Sequence, residues 1–340
     1  MRTPDFNQLL AVLKREVPDR VTLFELFLNE HLYELLGGPM KHRNGSEAKR
    51  QVLRAFCGAG YDYATVHGSS LRFRQQPVES KQTRSLNQGA AIVDDASFEA
   101  YQWPDMDQED YHILDVLGAD LPPDMKLVVM GPGGVLENVI DLMGYDNLCY
   151  ALVDNPGLVE RVAAGVGHCL ASYYRHCAAH PAVGALISND DWGFKTQTML
   201  APTDMRRYIF PHHEEIVQTA HARKKPIILH SCGNLEMVME DIIAMGYDAR
   251  HSYEDAITPV EEVYERYGSR IAVLGGIDVD FLCRASSQEV EARSRWLWKN
   301  LGRRGGYALG SGNSIPSYVP PESFFAMISL ANPQLRPQPH

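Results

Sequence analysis

The chain has 340 residues, 45% of them hydrophobic and 22% charged, and a formal net charge of -11. That is a globular composition with ample material for a large core, and its acidic balance, with basic residues only in short clusters such as Lys224-Lys225 and Arg303-Arg304, argues against a nucleic-acid groove or an anionic membrane as partner. With no signal-peptide core, no apolar run of about 18 residues and six scattered cysteines lacking a CxxC, a cytoplasmic protein with reduced thiols is expected.

The first twenty residues read as a helix laid across one end of the fold. Eight short apolar runs follow: VTLFELF (21–27), YATVHG (63–68), LVVMG (127–131), ALISNDD (185–191), PIILHSC (226–232), ARHSYE (249–254), IAVLGGID (271–278) and YALGSGN (307–313). Amphipathic stretches such as LEMVMEDIIAM and EVEARSRWLWKNL separate most of them, with apolar residues at spacings of three and four. Strands that alternate with helices predict parallel strands joined by crossovers. Eight of them predict a closed (β/α)8 TIM barrel, which takes about 250 residues. The polar stretch 75–120 reads as an insertion after the second strand. Residues 1–330 read as a single barrel domain and the proline-rich 331–340 as a disordered tail. An open doubly wound sheet is the alternative, weakened because no GxGxxG follows the first strand.

In such a barrel the active site forms at the C-terminal ends of the strands. Here run after run ends in polar residues. His67 closes the second, with Arg72 and Arg74 just beyond it. Gly131 opens a GPGG turn after the third, and Asp190-Asp191 end the fourth. His230 and Cys232 end the fifth, the sixth carries His251, Tyr253 and Glu254, the seventh ends at Asp278, and the eighth gives Ser311-Gly312-Asn313. One shared mouth lined by acids, histidines and a thiol is expected. Residues i and i+2 of a strand point to the same side, about 6.5 Å apart. An imidazole and a thiolate at His230 and Cys232 can therefore converge on one ion, and zinc accepts both. The plain alternative is a buried cysteine beside a hydrogen-bonded histidine. Asp190-Asp191 offer a catalytic acid, a ligand or a helix N-cap. Arg72 and Arg74 suit a substrate carboxylate or a solvated loop. GPGG offers backbone N–H groups to an anion or makes a tight turn. His176 and His180 suit a helix end, and His212-His213 reads as an exposed first turn.

ILHSCGN, followed by an acidic amphipathic helix and a G-Y-D turn, resembles the uroporphyrinogen decarboxylase superfamily, and within it the branch of the methylcobamide:coenzyme M methyltransferases. PDRVTLFELF, MGPGGVLENVIDLMG, ISNDDWGFKTQTMLAPTDMRRYIFP, LGGIDV and GSGNSIPSYVPPESFFAM extend the likeness over most of the chain. The resemblance implies a (β/α)8 barrel, zinc held by His230 and Cys232, and a corrinoid (cobalamin) as co-substrate. That branch has a further cysteine ligand in a G-C-x-I-P setting, where this chain has Asn313. A carboxylate from Asp190, Asp191 or Glu254 is then expected to complete the site. The R-Q-A-G-R-Y segment of true uroporphyrinogen decarboxylases and the aspartate after their second strand are missing; LFLNE (26–30) and Gly68-Ser69-Ser70 stand in those regions. The expected activity is zinc-dependent methyl transfer between a small methyl donor or thiol and cobalamin. Asp190, Asp191 and Glu254 are the expected catalytic groups, and His67, Arg72, Arg74, Gly131 and Asn313 the expected substrate contacts. A metal-free decarboxylase and an inactive barrel that binds a corrinoid or a protein are the alternatives. The expected partners are a small-molecule substrate and a corrinoid protein, with the chain a monomer or homodimer.

Overall fold

Apolar runs that need cover on both faces are satisfied by lying side by side between a core and a layer of helices. The computed structural model, which describes residues 2–39, 45–75 and 85–337, has this arrangement. Seven parallel strands form one curled sheet in chain order: β1 Tyr63–His67, β2 Lys126–Met130, β3 Val183–Asn189, β4 Ile227–His230, β5 Ala249–His251, β6 Ala272–Leu274 and β7 Tyr307–Ala308. Every residue of β4, β5 and β6 is buried.

Seven strands stand where eight were expected. Of the first run, 21–27, only Leu23 bridges Leu309. The Phe24 N–H donates to the Leu309 carbonyl and the Leu309 N–H to the Thr22 carbonyl, both at 2.8 Å. On the other side the Tyr63 hydroxyl of β1 lies 2.7 Å from both the N–H and the carbonyl of Glu25. A side chain from β1 thus takes the place of a backbone ladder. In the middle of the run the Glu25 carboxyl is buried and accepts from the Ser311 hydroxyl at 2.7 Å and its N–H at 3.2 Å.

Local chemistry sets the helices. Helix Pro156–Ala179 begins where Asn155 accepts the Leu158 N–H and Pro156 fills the first turn. Helix Ser287–Asn300 opens on a capping box made by Ser286 and Glu289. A π turn at Met205–Ile209 ends two residues before Pro211, which has no N–H to give the turn above it. Helix Phe6–Leu13 lies across the N-terminal end of the sheet. The Phe6 N–H donates to the Asp124 carbonyl at 2.8 Å, and its ring leaves no room for a side chain at Gly184 of β3.

The segment after β1 carries helices Asp95–Ala100 and His112–Asp120; residues 76–84 of the expected insertion lie outside the described residues. The expected disordered tail makes defined contacts at two positions. Asn332 is buried and donates to the Gly58 and Ala59 carbonyls at 3.3 and 3.4 Å, and Arg336 pairs with Glu291. Among the described residues no helix is long and apolar enough to cross a membrane.

Candidate metal centre

Asn189, His230 and His251 end β3, β4 and β5 in register, so the three side chains face the same way at the mouth. Past the ladder, the chains leaving β3 and β4 stay together. The Asp190 N–H donates to the His230 carbonyl at 2.9 Å, the Trp192 N–H to the Ser231 hydroxyl at 3.1 Å, and the Cys232 N–H to Asp191 Oδ1 at 2.8 Å. Their backbones touch: a Cβ on Gly233 (φ +86) would lie 2.2 Å from the Gly193 carbonyl carbon. Only glycine fits that approach, which is why the His-x-Cys run ends in one.

His230 Nε2 lies 3.8 Å from Cys232 Sγ. The Asp191 carboxylate completes a cluster in which the ligand atoms of all three residues lie within 4.8 Å of one another. Nitrogen and sulfur bound to one tetrahedral zinc, at about 2.0 and 2.3 Å, stand roughly 3.5 Å apart. The donor set therefore fits the ion in both chemistry and spacing. Burial holds His230 down to about 4, so at neutral pH its ring offers a lone pair. Burial, and then the Asp191 charge, push the Cys232 thiol up to about 12. A thiolate there forms only opposite a cation. Two donors await it, the Asn313 amide at 3.2 Å and the Ser252 hydroxyl at 3.5 Å. Asn313, expected as a substrate contact, is turned to the ligand sulfur.

The other expected residues divide. Asp190 is fully buried, and its oxygens accept from the Leu136 N–H (2.8 Å), the Glu137 N–H (2.9 Å) and His213 Nε2 (2.8 Å). It caps helix Val135–Met143 inside the wall, a correction to its expected catalytic place. His213, expected on an exposed turn, is its buried partner and also meets the Tyr247 hydroxyl at 2.7 Å. The Glu137 side chain takes up the Gly134 N–H, and Asp190 those of Leu136 and Glu137, so these three backbone donors of the GPGG turn and the helix start are already paired within the chain. Glu254 stands apart from the three-residue cluster and lines a cavity of ≈ 1030 Å³ with Tyr253, Asp278 and Asn313. His176 and His180 meet separate carboxylates, Asp107 at 2.9 Å and Asp115 at 3.1 Å.

His67, Arg72 and Gly131 line one cavity of ≈ 480 Å³ with Asn138 and Asn189. Because Asn189 ends the strand beside His230, this cavity adjoins the centre. Burial, then Arg72 and Lys49, hold His67 down to about 4. Arg72 also borders a second cavity of ≈ 320 Å³, shared with Arg74, Trp103 and Glu109.

Four participants had no assigned role in the sequence reading. His251 lies 2.7 Å from His230, Nδ1 to Nδ1, and Ser252 reaches the sulfur. Glu137 is pushed up to about 8 by burial and by Asp190 and Asp191. His213 supports Asp190. The only signal was a second histidine closing the strand next to His-x-Cys.

The uroporphyrinogen decarboxylase (URO-D) family model matches residues 86–333. No curated protein matches the chain. A methyltransferase from Methanosarcina mazei is similar over 98% of this chain and 99% of its own, with a TM-score of 0.71 and 16% identity, a likeness of fold. Xylanase B from Clostridium stercorarium F9 aligns over 91% of this chain and 88% of its own at 11% identity, but its TM-score of 0.42 carries no argument. The family model runs from within the insertion to beyond β7, through β3, β4 and β5, and the chain belongs to the uroporphyrinogen decarboxylase family.

Proposed function

We propose that the protein is a zinc-dependent methyltransferase that works with a corrinoid, in a closed barrel whose eighth stave is 21–27. One observation carries this: His230, Cys232 and Asp191 converge at an ion's spacing, at the end of the strands where such barrels keep their chemistry. The likeness in fold to a methyltransferase along almost the whole chain supports it. Three protein donors leave a fourth position open, the mark of a catalytic site. Zinc there supplies Lewis acidity, either to lower the pKa of a bound thiol or to polarise the oxygen of a methyl ether.

The chain does the rest. His230 presents nitrogen and Cys232 sulfur, while Asp191 gives the second anionic donor and anchors the Cys232 N–H. Hydrogen bonds from Asn313 and Ser252 draw charge from the sulfur and keep the centre electrophilic, which favours the methyl-ether version. Burial, then the Asp190 and Asp191 charges, push Glu137 up to about 8, which favours its protonated form beside the site. The adjoining cavity, with Arg72 and His67 on its wall, suits a small substrate bearing a carboxylate. Arg74 borders a second cavity that shares Arg72 with the first.

The test is elemental analysis of protein purified without chelators, followed by incubation with methylcobalamin and a panel of thiols, and separately with reduced cob(I)alamin and aryl methyl ethers. Bound zinc and methyl transfer are expected, both lost in His230→Ala and Cys232→Ser. Chelator-insensitive release of carbon dioxide from uroporphyrinogen would select a decarboxylase instead. Tight corrinoid binding without turnover would select an inactive barrel.

A further inference from the structure

We infer that His251 is a positioning residue that fixes His230 in the ring form whose Nε2 carries no proton and faces Cys232; its use rests on the metal centre proposed above. The two rings stand in register at the ends of β4 and β5, Nδ1 to Nδ1 at 2.7 Å. Two nitrogens that close share one proton. The far side of His251 decides which ring owns it. His251 Nε2 lies 3.3 Å from the Ser311 carbonyl, a group that only accepts. Nε2 therefore carries the His251 proton and its Nδ1 is bare. The shared proton belongs to His230 Nδ1. The His230 Nε2 is left with its lone pair, 3.8 Å from Cys232 Sγ and among the donor atoms of the cluster.

The relay is held from behind. Ser311 is pinned by Glu25 through its hydroxyl at 2.7 Å and its N–H at 3.2 Å. Gly275 (φ +77) leaves room for the carbonyl contact: a Cβ there would lie 2.1 Å from the Ser311 oxygen and 3.1 Å from His251 Nε2. Phe24 closes the other side, with its ring centre 5.1 Å from that of His251. Both histidines are buried, so water does not compete for their nitrogens. A ring that only filled space would need no acceptor aligned on one nitrogen and no donor on the other. Outer partners that orient a ligating histidine in this way set both its tautomer and its basicity.

Nitrogen-15 spectra of the metal-free full chain, with labelled histidine, read the tautomers directly. His230 is expected protonated on Nδ1 and bare on Nε2, and His251 the reverse. His251→Phe keeps a ring and removes the relay; His230 should shift to the Nε2–H form, and zinc affinity, measured by chelator competition, should fall about 10–100-fold. His251→Gln, whose side-chain oxygen accepts the His230 proton, should recover most of both readouts. A parent chain with Nε2–H on His230 would overturn the inference. So would a folded His251→Phe chain with unchanged tautomer and zinc affinity. A parent chain that binds no zinc yet keeps Nδ1–H on His230 would sink the methyltransferase proposal and leave the relay standing.

Discussion

Asp190 and Asp191 are neighbours in the chain, yet they belong to different parts of the molecule. Asp190 points into the wall, where two backbone N–H groups and His213 saturate it away from solvent. Asp191 points to the mouth, holds one backbone N–H and joins His230 and Cys232. Each aspartate has its histidine. The wall pair ties a helix start to a strand end, and the mouth pair leaves donor atoms facing one another with space between. Contacts with the chain leaving β4 make the difference: the Asp190 N–H is held by the His230 carbonyl and the Asp191 carboxylate by the Cys232 N–H, so the two side chains part past the end of β3.

The comparison breaks most readily through stability. Asp190→Ala strands three donors, two of them fully buried, and should cost about 3–5 kcal/mol, read as a lower urea midpoint at unchanged slope. Asp191→Ala, compared metal-free, should stay within about 1 kcal/mol of the metal-free parent, and it should lose zinc binding. Equal destabilisation by the two would erase the distinction between wall and mouth.

A third acid sharpens it. Glu25 is buried without a cation, and burial pushes it up to about 8 from its ordinary 4.5. Between those values the folded chain holds a proton that the unfolded chain has lost. Its contribution to stability is therefore complete below about pH 4.5 and disappears as pH rises through about 8, with a slope of at most ~1.4 kcal/mol per pH unit. Glu137 adds a slope of the same sign. Glu25→Gln should flatten the stability–pH curve by its own share; an unchanged curve would place Glu25 in water.

Smaller effects probe the mouth. Arg72→Ala should raise KM for a carboxylate-bearing substrate about tenfold, with kcat little changed. Equal losses for substrates with and without a carboxylate would remove Arg72 from recognition. Asn313→Ala takes one donor from the sulfur and should weaken zinc about tenfold or less, measured by the same chelator competition.

Much of this was legible in the sequence, for physical reasons. Alternating apolar runs and helical periods identify a parallel sheet with helices over it, and strand ends locate His230 and Cys232 at the mouth. The run 21–27 was apolar enough to read as a full strand. Nothing local shows that Glu25 turns inward to Ser311 and that a Tyr63 hydroxyl replaces the ladder. Asp190 and Asp191 could not be separated, because the phase of alternation past a strand end depends on contacts made across the sheet. His213 looked exposed beside two glutamates, since its cover comes from Tyr247 and Trp192, residues distant in the chain. The His251 relay needs three segments far apart in sequence, so no spacing could announce it.

The most direct measurement is the zinc content of the full chain purified without chelators, beside His230→Ala and Cys232→Ser prepared in the same way. About one zinc per parent chain is expected, with little or none in either variant. A folded parent chain without zinc, or variants that carry as much as the parent, would contradict a metal centre at His230, Cys232 and Asp191.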